Sequence, residues 1–387
     1  MHRREAQWEG VLLAAVVVVL CGVVGYLVAR HVALRRELGA REVPYIWKAE
    51  ELAELARKEN PGVKVVLTGE KGEWQKKGGP AVDLVFDLSL SEGYEGVSWV
   101  AGDGEGNLFL LEREACMIHR CTPEGKHLRT FGAKGGGPGE LMMPLYMVLD
   151  REGNLCVLDA GNSKVAVFAP DGRFLKEVRL EFRGVPGGFA VDSTGTFYVS
   201  WYDARSECVI HKYSTSGDLL HSFGQPVRFR SPVAYPEITM KEQISAGPLL
   251  VAGDRLYYSQ FNPYEIRQYT LDGELKMCVF RKNRFLRPAR ARRIGGDRYI
   301  VKPPPSSLFI GLWGDKIINQ AGALPNPVID IFDLQGQLLC SYSQPVNFMA
   351  CHSLGGGVLY GGTLSEGAVA PSRVRLVLKE RKKGIGQ

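Results

Sequence analysis

None of the eight cysteines in this 387-residue chain stands in a Cys-x-x-Cys pair, which excludes a structural zinc site of the usual ligand spacing. No Gly-x-Ser-x-Gly run occurs, so the nucleophile elbow of the hydrolases that use one is absent. The one glycine-rich stretch, 132–139, lacks the Gly-Lys-Ser/Thr ending of a phosphate loop and reads as a crossover in which glycine permits a sharp backbone path. Histidine is scarce, seven residues in all, and His127, His221 and His352 are isolated. With Cys21 inside an apolar run, an odd number of cysteines remains, and Cys116 and Cys121 are spaced to point to opposite faces of one strand, so they cannot pair within it. No catalytic residue, metal-ligand set or cofactor is assigned.

What is abundant is glycine, and it is periodic. Gly106, Gly153, Gly195, Gly253, Gly314 and Gly356 each precede a short apolar run, such as Leu108 to Leu111 or Leu155 to Leu158. A second set of turns follows in five of these six repeats, at Gly125, Gly172, Gly217, Gly273 and Gly336. Four residues before each stands Cys121, Phe168, Tyr213, Tyr269 or Phe332, and three residues earlier again Ile118, Val165, Ile210, Ile266 or Ile329. Short runs of β-branched and aromatic residues between Asp-Gly and Glu-Gly turns are the mark of antiparallel hairpins. The spacing leaves room for four strands per repeat, the blade of a propeller. The expected fold is all-β: six four-stranded antiparallel blades, with Cys121 and Cys156 as core thiols. One polar column, His119, Ala166, His211, Arg267 and Asp330, tolerates residues so different that it reads as partly solvated.

The stretch 131–168 resembles an NHL-type repeat: Phe131-Gly132, the Gly-Pro-Gly segment ending at Gly139, Pro144, Asp150, Gly153-Asn154, Asp159 and Asn162 stand where such a repeat carries them. The likeness is close over 97–224 and weak beyond. It implies a six-bladed ring, the number reached above. The last repeat, 347–380, runs out before its outer strand, and 81–90 is expected to supply that strand and lock the ring.

The only long apolar run is 11–28, flanked by Arg3, Arg4, Arg30, Arg35 and Arg36. Its 18 residues are just long enough for a hydrocarbon core about 30 Å thick, and an uncleaved anchor in the lipid bilayer is expected. Residues 48–60 read as a short stalk helix stopped by Asn60-Pro61-Gly62. The expected division is 1–30 tail and transmembrane helix, 31–79 stalk helix and linker, and 80–387 propeller. The positive-inside count would hold the ring in the cytoplasm; the resemblance places it outside the membrane, and that is the expectation taken forward.

The glycine turns share one end of a meander, so the connections 112–115, 159–164, 201–207, 260–265, 224–243 and 281–307, read as long, fall at the other. Binding loops gather on one side of a rigid scaffold. The candidate binding residues there are Arg113, Asp159, Asn162, Trp201, Tyr202, Arg205, Arg228, Arg230, Tyr264 and Arg287, with Asp159 and Asn162 also able to tie their own loop. Seven positive charges lie in 281–293, suited to an anionic partner. Two functions stay open: a membrane-anchored binding or scaffold module for a protein, peptide or polysaccharide, and a metal-assisted lyase or hydrolase at the channel mouth. A nucleic acid partner is not expected unless the ring is cytoplasmic.

Overall fold

The computed structural model describes residues 43–44, 49–69, 81–90, 94, 96–226, 245–260, 264–282, 290–295, 298–302, 307–322, 327–343, 348–353, 358–365 and 368–379. The run 11–28, and with it the expected transmembrane helix, lies outside them. Among the described residues no helix is long and apolar enough to cross a membrane.

The chain divides into two compact units. The larger (Ile46–Arg230, Pro236–Ala289 and Pro303–Gln387) is a six-bladed β-propeller of antiparallel four-stranded meanders. Blade one runs Val97–Gly102, Leu108–Glu112, Met117–Cys121 and His127–Phe131; blade two Pro144–Leu149, Leu155–Asp159, Lys164–Phe168 and Phe174–Arg179. Blade three runs Gly188–Val191, Phe197–Asp203, Cys208–Tyr213 and Leu219–Phe223; blade four Leu249–Ala252, Arg255–Gln260, Glu265–Thr270 and Leu275–Arg281. Blade five runs Phe309–Trp313, Lys316–Ala321, Val328–Asp333 and Leu338–Ser343. Blade six has Phe348–Ser353, Val358–Ser365 and Ala368–Lys379, and the outer strand beside the last is Ala81–Ser89.

Local chemistry builds the repeat. Asp103, Asp150 and Asp192 accept backbone N–H groups two and four residues on at 2.8–3.0 Å, closing the first turn of blades one to three. The second-turn glycines have φ from +83° to +98°. A Cβ at Gly172 would lie 2.5 Å from Phe131, and one at Gly273 2.7 Å from Phe223. Glycine is therefore required twice over, by the turn and by the outer strand of the preceding blade. The outer strands of blades one to five then bulge at Leu128, Leu175, Leu220, Lys276 and Leu339. A bulge interrupts the ladder of an exposed edge and blunts it against pairing.

Each blade face packs on a neighbour. Phe109 and Ile118 meet Val157 and Phe168 between blades one and two. Leu158 and Val165 meet Val199 and Tyr213 between two and three, and Tyr198 and Ile210 meet Tyr258 and Tyr269 between three and four. Ile266 and Val279 meet Ile317 and Phe332, then Ile318 and Ile329 meet Leu359, and Tyr360 returns to Leu108 and Cys121 of blade one. Both sequence columns are buried throughout, each side chain contributing about 1.5–3 kcal/mol. Cys121 and Cys156 are core thiols; Cys116 lies in a turn before the strand rather than on it, and all three are free.

The helix is Ala49–Glu59, α1. Glu50 and Glu51 in its first turn and Arg57 and Lys58 in its last complement the helix dipole, and Asn60 turns the chain by bonding the Ala56 carbonyl. It does not stand off as a stalk: Leu52, Ala53 and Ala56 pack on Cys278 and Phe280 of blade four. The following strand, Lys64–Thr68, within what the sequence offered as linker, adds parallel to the outer edge of blade four, pairing with Met277 to Arg281 just past the bulge at Lys276. It also reaches blade five, where Lys64 Nζ donates to Gln335 at 2.7 Å and Leu338 N–H to Thr68 Oγ1 at 3.2 Å.

The smaller unit comprises Met1–Tyr45, Ser231–Tyr235 and Arg290–Lys302. Its described part is a three-stranded antiparallel sheet of Val43–Pro44, Arg290–Gly295 and Arg298–Lys302.

Candidate functional site

The end of the ring opposite the glycine turns carries the second-to-third strand links and the connections between blades. The links expected to be long are short turns, 113–116, 160–163 and 204–207, each ending on a residue of positive φ: Cys116, Ser163 and Glu207. Trp201 and Tyr202 lie inside the strand Phe197–Asp203 rather than in a loop, and both are buried. Only the interblade connections are extended, above all 224–248 and 282–308 on either side of blade four.

The candidate residues are distributed unevenly. Arg113 and Arg205 are exposed, in the second-to-third strand turns of blades one and three. Asp159 is fully buried and accepts the N–H groups of Met142 and Met143, at 3.0 and 2.7 Å, and Asn162 Nδ2 at 2.7 Å. Asn162 also donates to the Gly135 carbonyl, and Lys164 bonds Gly137 and Glu177. These groups tie down the glycine-rich crossover, as the sequence allowed for Asp159 and Asn162. Arg228, Arg230 and Arg287 lie outside the described residues. Arg281, first of the basic cluster, is buried against Asp330 at 2.8 Å and is not part of a solvated loop, while Lys282 pairs with Glu50 of α1.

Of the polar column expected to be partly solvated, His119 is partly exposed, but the others are packed between blades: His211 is 1% exposed, Arg267 8% and Asp330 0%. Both faces of a third strand are covered in a propeller, so a polar side chain there needs an internal partner. Arg267 makes two bonds to Glu265, at 2.7 and 2.8 Å, one to Gln260 Oε1 at 3.2 Å, and one to the Gln225 carbonyl. Burial opposes its charge, but Glu265 together with the neighbouring Tyr269 and Tyr258 outweighs that effect and raises its pKa. Burial raises the Asp330 carboxyl above its usual value against the pull of Arg281 and Ser341. The Tyr264 hydroxyl, also raised by burial, faces this pair from blade four. Ser307 bonds Ser259 and Asn319 at 2.7 and 2.9 Å, and the Tyr258 hydroxyl bonds the Ser245 carbonyl.

These bonds have a common geography. Gln225 and Ser245 stand near the two roots of the connection 224–248, and Arg281 and Ser307 at the two roots of 282–308. Blades four and five hold all four roots with buried polar groups. The sequence carried one signal of this: charged residues in a third-strand column flanked by apolar ones. Beside them, a cavity of about 170 Å³ lies between α1 and blade four, lined by Leu52, Leu55, Gln260, Arg267, Tyr269 and Phe280. Among the described residues no three His, Cys, Asp or Glu side chains are placed to share a metal ion.

No family model matches the chain. It is 35% identical over 71 residues to the human E3 ubiquitin-protein ligase TRIM32, a stretch that is 18% of this chain and 10% of that protein; the match therefore spans about a tenth of the relative. A Bacteroides fragilis protein described as exported superposes with a TM-score of 0.56 at 12% identity, covering 82% of this chain and 100% of that one. A member of the DUF4221 family from Bacteroides vulgatus superposes with a TM-score of 0.50 at 10% identity, covering 77% and 99%. At these identities the likeness shows the propeller fold.

Proposed function

We propose that the protein is an NHL-like propeller, closed by the strand Ala81–Ser89, anchored in a membrane by 11–28 and displayed on its extracytoplasmic side, where it works as a binding or scaffold module. The observation that carries this reading is the pinning of both long connections at their roots by Arg267, Tyr258, Arg281 and Ser307. Roots held by buried bonds reduce the ordering entropy that loops lose on binding, which favours recognition. The partner is a protein, peptide or polysaccharide meeting the end of the ring that holds Arg113 and Arg205 and from which the connections 224–248 and 282–308 leave. The test is photo-crosslinking in native membranes from probes placed at 205, 228, 230 and 287, with probes at Lys126 and Asp272 on the glycine-turn end as reference. A product confined to the first group supports the reading; equal products from both ends, or none from the first, refute it. Fusion of a topology reporter to the C-terminus decides the side of the membrane.

A further inference from the structure

The net charge of this protein is confined to one of its two units. The chain carries 48 Lys and Arg against 42 Asp and Glu. Met1–Tyr45, Ser231–Tyr235 and Arg290–Lys302 hold 11 of the former and 5 of the latter, which leaves 37 and 37 for the propeller. The ring is neutral, and the whole excess of six lies in the unit that contains the apolar run. Backbone register adds a second observation. In its sheet Arg290 stands opposite both Pro44 and Lys302, and Arg298 opposite Gly295. A like-charge pair at directly opposed positions destabilises a sheet, and an anion brought to it removes that penalty. The third observation is connectivity. Val43 follows the last residue of the apolar run by 15 positions, a reach of at most about 50 Å even if fully extended.

We infer that the sheet of Val43–Pro44, Arg290–Gly295 and Arg298–Lys302 docks on the anionic headgroups of the bilayer that holds 11–28. The insertion between blades four and five thereby gives the ring a second, electrostatic attachment to the membrane. A single hydrophobic element and a basic surface act together in such attachments, and the basic part is screened by salt. This inference rests on the proposed insertion of 11–28, and the experiment separates the two.

The full-length protein is placed in nanodiscs of phosphatidylcholine alone or phosphatidylcholine with phosphatidylglycerol, and amide hydrogen exchange of 43–45 and 290–302 is followed. Exchange should slow by about tenfold in the anionic discs, as expected for several basic residues at a charged surface, and the difference should vanish near 1 M salt, where the Debye length is about 3 Å. Arg→Lys at 290, 292, 293 and 298 should keep the difference and Arg→Gln at the same positions should abolish it. Equal exchange in the two discs overturns the inference, as does protection that appears with a short RNA and not with phosphatidylglycerol. If alkaline carbonate extracts the protein from its membranes, the insertion of 11–28 has failed. Co-sedimentation of the extracted full chain with the two kinds of vesicle then tests the sheet: pelleting with phosphatidylglycerol alone supports the docking, and pelleting with neither overturns it.

Discussion

Acidification should destabilise this ring through His211. Its Nε2–H donates to the Trp201 carbonyl at 3.1 Å, its Nδ1 accepts from Ser222 Oγ at 2.9 Å, and the Trp201 indole lies over it with 4.5 Å between ring centres. Both bonds fit the neutral imidazole. Burial pushes its pKa down from 6.5 to about 4, against the opposing effects of the Trp201 carbonyl and Asp203. The unfolded chain takes up this proton near pH 6.5 and the folded chain only near 4. Stability from this site is complete above about 6.5 and is lost as pH falls through that window. At about 1.4 kcal/mol per pKa unit, a depression of about 2.5 amounts to roughly 3 kcal/mol. His211→Gln keeps a donor and an acceptor and does not titrate. Urea midpoints and m-values of the two proteins, measured from pH 7.5 to 3.5, should show the wild type losing about 3 kcal/mol more than the variant. His352, which burial also lowers to about 4, titrates in both proteins and cancels. Parallel loss in the two proteins would show that the imidazole is not held neutral by its surroundings.

Other perturbations probe the ring and its clamp. Phe168→Ala empties a site where Phe131 and Phe174 lie with ring centres 5.2 and 5.9 Å away and should cost about 3–5 kcal/mol by denaturant titration; a loss below about 1 would refute the packing. Removing one partner of the Arg281–Asp330 pair, as in Arg281→Met, should cost about 3–5 kcal/mol, whereas Arg281→Met with Asp330→Leu should recover most of it, since the stranded charge is the penalty; additive losses would contradict this. A chain beginning at residue 46 should melt as the full ring does, while one beginning at residue 71 exposes the apolar surface under α1 and Lys64–Thr68 and should lose several kcal/mol. Equal melting of those two chains would show that the clamp is idle. A chain beginning at residue 91 also lacks Ala81–Ser89 and should melt lower still or aggregate, as an open ring would; melting like the chain from 71 would argue against closure by that strand.

The readings from sequence succeeded where chemistry is local and failed where it is long-range. The turn at Asp150 depends on atoms within four residues of it, so its glycine and the columns around it announce the blades. The link 204–207 reads as long from sequence because a strand continuing through Trp201 to Asp203 leaves no mark that separates it from an aromatic loop. Arg281 was grouped with the basic cluster because Asp330 is a remote partner in sequence. For Asp159 and Asn162 two roles stay open from sequence, because a polar pair beside a loop looks the same whether it meets a ligand or, as here, the backbone of the preceding crossover.

By itself the sequence determined the number of blades, their strands and their core columns, because turn geometry and alternation are written within a few residues. The tertiary structure alone decided that His211, Arg267 and Asp330 of the third-strand polar column are buried, since only the neighbouring blade covers that face. It alone decided that α1 and Lys64–Thr68 clamp blade four, and that the basic hairpin pairs with the segment following the apolar run. Those contacts join residues hundreds of positions apart, and no local pattern encodes such a partner.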